Sequence, residues 1–518
     1  MTRTQQFAAL DGTFDVLIIG GGATGLGIAV DAVTRGYRTA LVEAGDFAQA
    51  TSSRATKLVH GGVRYLASGQ IHLVYEALHE RKVMITNAPH LVHPLAFITP
   101  AYKWGDLPFY GSGLKLYDLL SGTASLGRTR ILSAKETRQF QPGIAVAGLK
   151  GSILYYDGQF DDARLALALA RTAQDHGALV CNYTRCLKLT KQQDTIDGAV
   201  VRDMESGQEC TVKARVVINA AGIFSDEIRH QDNASLPNLL TTSRGSHIVV
   251  PGYVLGSPNA IMVPRTKDGR IIFAIPWLGQ VVIGTTDLPA PTAEMEPGHL
   301  APEIDFLIDT INPYLAQPIS RRDVLSVFSG LRPLVTGKAG TTSKLSREHH
   351  IDRSTSGLIT VAGGKWTTYR RMAQDTLDFA IKHKMLQSRK CSTATLRLHG
   401  APAIAQQNSP FAPYGADAPA LQAIVDADPS AATLLDEELP YIVAQVIFAV
   451  REELARTVED VLSRRTRALL LNARAAQRAA APVAGIMAQL LGYDAAWIEQ
   501  QVRAFQTLAQ SFYTATPA

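Results

Sequence analysis

Residues 14–46, "FDVLIIGGGATGLGIAVDAVTRGYRTALVEAGD", decide the fold. Apart from Asp15, the first six residues are apolar, as a parallel strand covered on both faces requires. Gly20, Gly22 and Gly25 follow in G-x-G-x-x-G spacing, with Gly27 extending the set. In this pattern Gly20 permits the turn, Gly22 lets the backbone approach a pyrophosphate, and Gly25 lets the next helix pack closely on the strand. The helix N-terminus adds free N–H groups and the positive end of a dipole. The next apolar run ends at Glu43, about 20 residues beyond the glycines, where an acid meets a ribose hydroxyl. A carboxylate there accepts from a free 2′-OH and repels a 2′-phosphate, which favours FAD or NAD over NADP. Strand, turn, helix, second strand and acid stand in order, so the expectation is a dinucleotide site. The alternative is a glycine-rich turn with no ligand.

Two later segments separate FAD from NAD. "ARVVINAAG" (214–222) brings Ala220 and Gly222 to the end of an apolar strand. "GLITVAGGKWTTYRRMA" (357–373) repeats the strand–glycine–helix logic, with Gly363, Gly364 and Lys365 at the turn and Thr367 and Thr368 entering a helix. A simple NAD domain has no need of a second dinucleotide-facing turn so far along the chain. An FAD laid lengthwise does, with the pyrophosphate at the first turn and the isoalloxazine at the last.

The bulk properties bound the rest. The chain has 518 residues, too many for one core, with 46% hydrophobic and 19% charged residues. A net charge of +5 suits small anions or an anionic membrane surface and is too diffuse to indicate nucleic acid. Cys181, Cys186, Cys210 and Cys391 form no CxxC pair, which fits a reducing compartment and gives no metal site. The opening "MTRTQQFAALDGT" has no apolar core of the kind a secretory signal carries. The apolar run 16–33 holds five glycines and reads as strand, turn and helix rather than a membrane span. There is no G-x-S-x-G elbow and no HExxH, so the common hydrolase signatures are absent.

The segment 51–66, "TSSRATKLVHGGVRYL", mixes hydroxyls, cations, a histidine and a glycine pair with buried-type valines and leucines. Together with "RGSHIVVP", "IGTTD", "SGLRPL" and "GGKWTTYR", it resembles the FAD-dependent, quinone-linked glycerol-3-phosphate dehydrogenases, from about Asp15 to about Leu471. The resemblance implies an α/β, Rossmann-like FAD-binding domain of the glutathione-reductase/D-amino-acid-oxidase type. It also implies an inserted β-rich substrate domain and a C-terminal α-helical domain. We place the discontinuous FAD-binding domain at 1–75, 150–230 and 325–390, and the inserted domain at 76–149 and 231–324. A Pro/Ala-rich linker spans 391–427, and the helical domain 428–518.

By the same resemblance the activity is oxidation of sn-glycerol 3-phosphate to dihydroxyacetone phosphate, with electrons passed to a membrane quinone. Thr51, Ser52, Ser53, Lys57, His60, Gly61 and Gly62 would lie against the flavin, and Arg64 and Tyr65 would face the substrate. Enclosing a phosphate requires fixed cations, with arginine preferred for bidentate geometry. Arg332, Arg347, Lys365 and Arg64 are the candidates. The C2 hydroxyl proton needs a base with a pKa near the working pH, which favours histidine. His247 is the first candidate, at the head of an apolar strand, with Arg332 and Arg64 completing the expected catalytic set.

In the middle of the chain, 271–289 reads as two strands around Leu278–Gly279–Gln280, a hairpin. Segment 101–130 places Trp104, Phe109, Tyr110, Leu114, Tyr117 and Leu120 near Lys103, Lys115, Arg128 and Arg130. Interleaved aromatics and cations suit monotopic attachment to a lipid bilayer surface, and the alternative is a helix packed on the protein's own core. With the resemblance, this places the protein peripherally on the cytoplasmic face of the inner membrane. Segment 450–480 has helical periodicity, and Arg464 and Arg465 are expected to pair with acids such as Glu452, Glu453 or Asp460. The resemblance gives this region a structural or oligomeric role, a homodimer included. Three other readings stand beside the dehydrogenase: a soluble glycerol-3-phosphate oxidase making hydrogen peroxide, an FAD-dependent amine or amino-acid oxidase, and a flavoprotein that has become a binding module.

Overall fold

The computed structural model describes residues 2–62, 70–264, 266, 269–336, 349–402 and 410–514. It contains two large sheets and a helical C-terminal region. The first sheet forms around strand Thr13–Ile19, whose Val16, Leu17 and Ile18 are wholly buried. Each contributes roughly 1.5–3 kcal/mol through burial. This strand pairs in parallel with Thr39–Val42 on one side and Glu209–Asn219 on the other. Leu179–Cys181 extends the parallel set beyond Thr39–Val42, and Ile359–Gly363 extends it beyond Glu209–Asn219. Helices Ala23–Thr34, Asp162–Asp175 and Tyr369–Lys382 share one apolar core with one face of this sheet. Gly27 explains how closely two of them approach: a Cβ there would stand 2.8 Å from the Tyr369 ring.

Among the described residues the second sheet has ten strands and is mixed. One of its long ladders sets Leu240–Pro251 antiparallel to Ser326–Val335, with Ser243 opposite Arg332 and His247 opposite Phe328. The expected hairpin joins Ile272–Trp277 to Gln280–Gly284. Its turn residues Leu278 and Gly279 both have positive φ, 48° and 83°, which matches the twist of a tight hairpin.

The chain crosses between the two sheets more often than the sequence reading allowed. Leu58–Val59, Gly151–Phe160 and Ser326–Val335 fall in segments assigned to the cofactor domain, yet all three belong to the second sheet. Their apolar runs look the same whichever sheet receives them. Part of the expected linker is also ordered. Ala412–Asp417 is a 3-10 helix and Ala418–Ala427 an α-helix, held by Phe411, Tyr414 and Leu421 against Phe448.

The C-terminal pattern is not one long helix. Val443–Glu452 ends before Leu454 at φ 56°, and Arg467 at φ 66° interrupts the chain again before Ala468–Leu471 and Ala473–Leu491. Ala476, Ala479 and Ala480 let this region pack closely, in a core that also includes Trp277, Val282 and Phe328 of the second sheet. The helical region is therefore continuous with the second sheet's interior.

Candidate active site

A cleft of about 670 Å³ opens where the parallel strands of the first sheet end. Ile19, Val42, Ala220 and Val361–Gly363 mark the carboxyl ends of four of them, where ligands bind in open α/β sheets. Gly20, Gly22, Glu43, Thr51, Ser52, Ala220, Gly222, Gly363, Gly364 and Lys365 all stand on its wall.

The first turn is built for close approach. Gly20 has φ 115°, and a Cβ there would lie 2.5 Å from the Ala220 carbonyl oxygen. Gly25 is not on the wall. A Cβ at Gly25 would fall 1.9 Å from the Gly20 oxygen, so its glycine is what lets the helix seat on the turn. Gly22 caps helix Ala23–Thr34 with no side chain. The Ala23 N–H instead donates to Ser52 Oγ at 3.0 Å. Glu43 accepts from Gly21 N at 2.6 Å and from Gly45 N at 2.9 Å. Burial pushes its carboxyl up against those two hydrogen bonds. The late turn reaches back to the first, with Trp366 Nε1 donating to Ser52 O at 2.8 Å.

Several wall residues escaped the sequence reading: Gln49, residues 184–187, Phe224, Met295 and Trp366. The 184–187 stretch follows the strand beside Glu43, so its position was readable in principle from the order of parallel strands. Met295 and Pro333 come from the second-sheet side and gave no local signal.

Other expected site residues lie off the wall. Ser53 is buried, and its carbonyl accepts from Lys57 Nζ at 3.0 Å. Lys57 itself has no exposed surface and binds Asp162 at 2.9 and 2.7 Å. Burial pulls its ammonium down to about 7, against the pull of Asp162. The expected flavin contact at Lys57 is thus an internal ion pair, a role that its sequence neighbours do not reveal. Gly61 N donates to Tyr117 Oη at 2.8 Å, and His60, Gly62, Thr367 and Thr368 are likewise off the wall. Arg64, Tyr65 and Arg347 lie outside the described residues.

Beyond the cleft, the second sheet presents its own polar set. Arg332 Nη2 donates to Thr285 Oγ1 and to Thr286 O, each at 3.1 Å, and Nη1 lies 3.4 Å from Asp287 Oδ1. The "IGTTD" motif therefore holds the guanidinium of "SGLRPL". His247 stacks on Phe328 with ring centroids 4.7 Å apart, and its Nε2 lies 3.0 Å from Thr56 Oγ1. The ring is buried, and among the described residues Nδ1 has no hydrogen-bond partner. Burial, with Arg332 and Lys57 nearby, holds its pKa well below the ordinary histidine value, so the imidazole is neutral and free to accept a proton but is a weaker base than the near-neutral pKa expected of it.

Residues 15–370 match the FAD dependent oxidoreductase family, and residues 361–498 match the C-terminal domain of alpha-glycerophosphate oxidase. The mitochondrial glycerol-3-phosphate dehydrogenase of Macaca fascicularis is 41% identical over 95% of this chain and 73% of its own length. The chain belongs to the FAD-dependent glycerol-3-phosphate dehydrogenase family. The Arabidopsis thaliana mitochondrial glycerol-3-phosphate dehydrogenase SDP6 is 40% identical over 96% of this chain and 86% of its own. A glycerol-3-phosphate dehydrogenase from Bacillus halodurans, solved in complex with FAD, superposes with a TM-score of 0.81 at 28% identity, covering 100% of this chain and 99% of that one.

FAD is the cofactor of this dehydrogenase, and the cleft fits it. The glycine turn leaves room where a Cβ would clash, and helix Ala23–Thr34 presents its N-terminus to the same wall. The Glu43 carboxylate lies at the end of the neighbouring strand. The wall then continues to Gly363–Trp366, as a ligand with two separated ends requires.

Proposed function

We propose that the protein oxidises sn-glycerol 3-phosphate to dihydroxyacetone phosphate and passes the electrons to a membrane quinone from a peripheral position on the bilayer. The observation that carries the substrate reading is the Arg332 guanidinium. It is fixed by Thr285, Thr286 and Asp287 beside Pro333, which lines the cleft, and Lys365 stands on the wall of the same cleft. Fixed cations of this kind bind a phosphate dianion without reorganising.

When bound, FAD supplies the two-electron acceptor for the hydride that leaves C2. Gly20, Gly22, Glu43, Ser52 and Gly363 would hold it. In this reading His247 takes the C2 hydroxyl proton. With Nε2–H donating to Thr56 Oγ1, Nδ1 carries the lone pair, and Phe328 fixes the plane of the ring. Arg332, Lys365, Arg64, Tyr65 and Arg347 bind and orient the phosphate end.

Support for membrane attachment comes from helix Asp106–Ser121 and the turn before it. Trp104 is 70% exposed, Phe109 72%, Leu116 44% and Leu119 77%, with Lys103, Lys115 and Arg128 exposed around them. This apolar set differs from the expected one: Leu114 and Tyr117 turn inward, and Tyr117 Oη donates to Asp157 at 2.7 Å. Among the described residues no helix is long and apolar enough to cross a membrane, so the proposed attachment is monotopic. The position proposed is the cytoplasmic face of the inner membrane.

The acceptor distinguishes this reading from a peroxide-forming oxidase. Turnover with glycerol phosphate should be fast with a quinone analogue in anionic vesicles and yield little peroxide in air. Stoichiometric peroxide with no quinone reduction would favour the oxidase.

A further inference from the structure

Three arginines from one short stretch of the C-terminal region enter the cofactor half of the molecule. Arg464, Arg465 and Arg467 are each 2% exposed or less. Arg465 closes on Asp46, with Nη2 at 2.9 Å from Oδ1 and Nη1 on Oδ2, and Arg464 Nε shares that second oxygen. Arg467 Nη2 donates to Ser53 O at 2.9 Å and to Asp162 Oδ1 at 2.8 Å. Asp162 also takes Ala55 N at 2.9 Å and Lys57 Nζ at 2.7 Å. Between these anchors, Gln49 Nε2 donates to Glu459 Oε1 at 3.1 Å. Segment 46–57 is therefore tied to the C-terminal region directly at Asp46, Gln49 and Ser53, and through Asp162 at Ala55 and Lys57.

The opposite side of the same segment faces the cleft. Gln49, Thr51 and Ser52 are on the wall, whereas no described residue beyond Met372 is. The backbone is strained at both sides of the joint, with Lys57 at φ 63° and Arg467 at φ 66°. Such conformations persist only where the surroundings over-determine them. A buried carboxylate left without its arginines would be strongly unfavourable for Asp46, whereas Asp162 without Arg467 would keep Lys57 but lose one of its two buried cations, and Ser53 O would lose the Arg467 donor.

We propose that Arg464, Arg465 and Arg467 are positioning residues for FAD. A region that does not line the cleft holds segment 46–57 in the shape the cofactor requires, and so sets flavin affinity. The proposal rests on the FAD reading of the cleft. It explains why Arg465 and Arg467 are buried across a joint between regions, and why Arg464 reaches Asp46 as well as Glu459 and Asp460 in its own segment.

The test compares FAD dissociation constants and flavin release rates for wild type, R467K, R467Q and the control R478Q. Arg478 makes exposed pairs with Asp436 and Glu438 in the same region and has no link to segment 46–57. R467Q should weaken FAD binding at least tenfold, and R467K less, because an ammonium keeps the charge but not the fork. R478Q should bind as wild type. If R467Q does not fold, E459A decides, since it removes the oxygen that Gln49 and Arg464 share while Arg464 keeps Asp46 and Asp460 and no buried carboxylate is left unpaired. E459A should release flavin several-fold faster. Wild-type FAD binding in R467Q and R467K, or wild-type release in E459A when R467Q does not fold, would overturn the proposal. So would an equal loss in R478Q. Failure of the wild-type protein itself to bind FAD would instead overturn the cofactor reading.

Discussion

Glu43 and Gly21 are joined by a 2.6 Å hydrogen bond from the Gly21 N–H to Glu43 Oε2, so the acid that ends one strand is locked to the glycine turn that ends its neighbour. The two halves of the dinucleotide signature form one structural unit. Removing the acid should therefore damage the turn as well as the ribose contact. E43A should lose at least tenfold in FAD affinity, read from the flavin-to-protein absorbance ratio after dialysis. Gly25→Ala, whose Cβ would meet the Gly20 oxygen at 1.9 Å, should lose flavin and destabilise the fold by about 1–3 kcal/mol or more.

His247 separates chemistry from cofactor binding. H247A should lower kcat by about 10²–10⁴-fold, the usual contribution of a general base, while the flavin content stays near wild type. T56V should keep the imidazole but lose its orienting hydrogen bond, giving a smaller drop in kcat and a shifted pH–rate profile. A kcat for H247A within a few-fold of wild type would remove it as the base.

Acid should destabilise the protein before its carboxylates protonate. Burial drives His247 well below the ordinary histidine value, His90 to about 4, and His93 and His299 downward. For each, the unfolded chain binds a proton near pH 6.5 that the folded chain refuses. The stabilising contribution is therefore present above about 6.5 and lost as pH falls towards the folded value. Each group contributes at most about 1.4 kcal/mol per pH unit. His399 opposes the trend: burial lowers its pKa, but Asp417 and Asp175 raise it further. Urea unfolding of the flavin-saturated enzyme should show lower stability at pH 5 than at pH 7, with a smaller difference in H90N. Equal stability at both would contradict the assignment.

The exposed apolar face has a separable role. The quadruple variant W104S/F109S/L116S/L119S should lose co-sedimentation with anionic vesicles while retaining activity with a soluble acceptor. Unchanged sedimentation would remove this face from the attachment surface.

Much of this was legible because the chemistry demands local spacing. The run from Phe14 to Glu43 dictated strand, turn, helix and acid, and the structure puts them at one cleft. "GGKWTTYR" announced the second turn for the same reason. What was not legible depends on partners distant in sequence. Lys57 looks like a ligand contact until Asp162 appears beside it, 105 residues away. Arg464 and Arg465 do find acids, and Asp460 is one of those expected, but the decisive partner Asp46 lies more than four hundred residues earlier. The same arginine cluster sits beside the breaks in the helical pattern at Leu454 and Arg467, which periodicity alone could not reveal. The strands of the second sheet carry apolar runs no different from those of the first, so domain boundaries drawn by segment placed three of them in the wrong sheet.

The most direct test is anaerobic mixing of the purified holoenzyme with sn-glycerol 3-phosphate while the oxidised flavin absorbance is followed. Rapid bleaching is expected, reversed by a soluble quinone analogue, with much slower bleaching in R332Q at the same substrate concentration. No bleaching with glycerol phosphate, or bleaching with an amino acid instead, would contradict the proposed function.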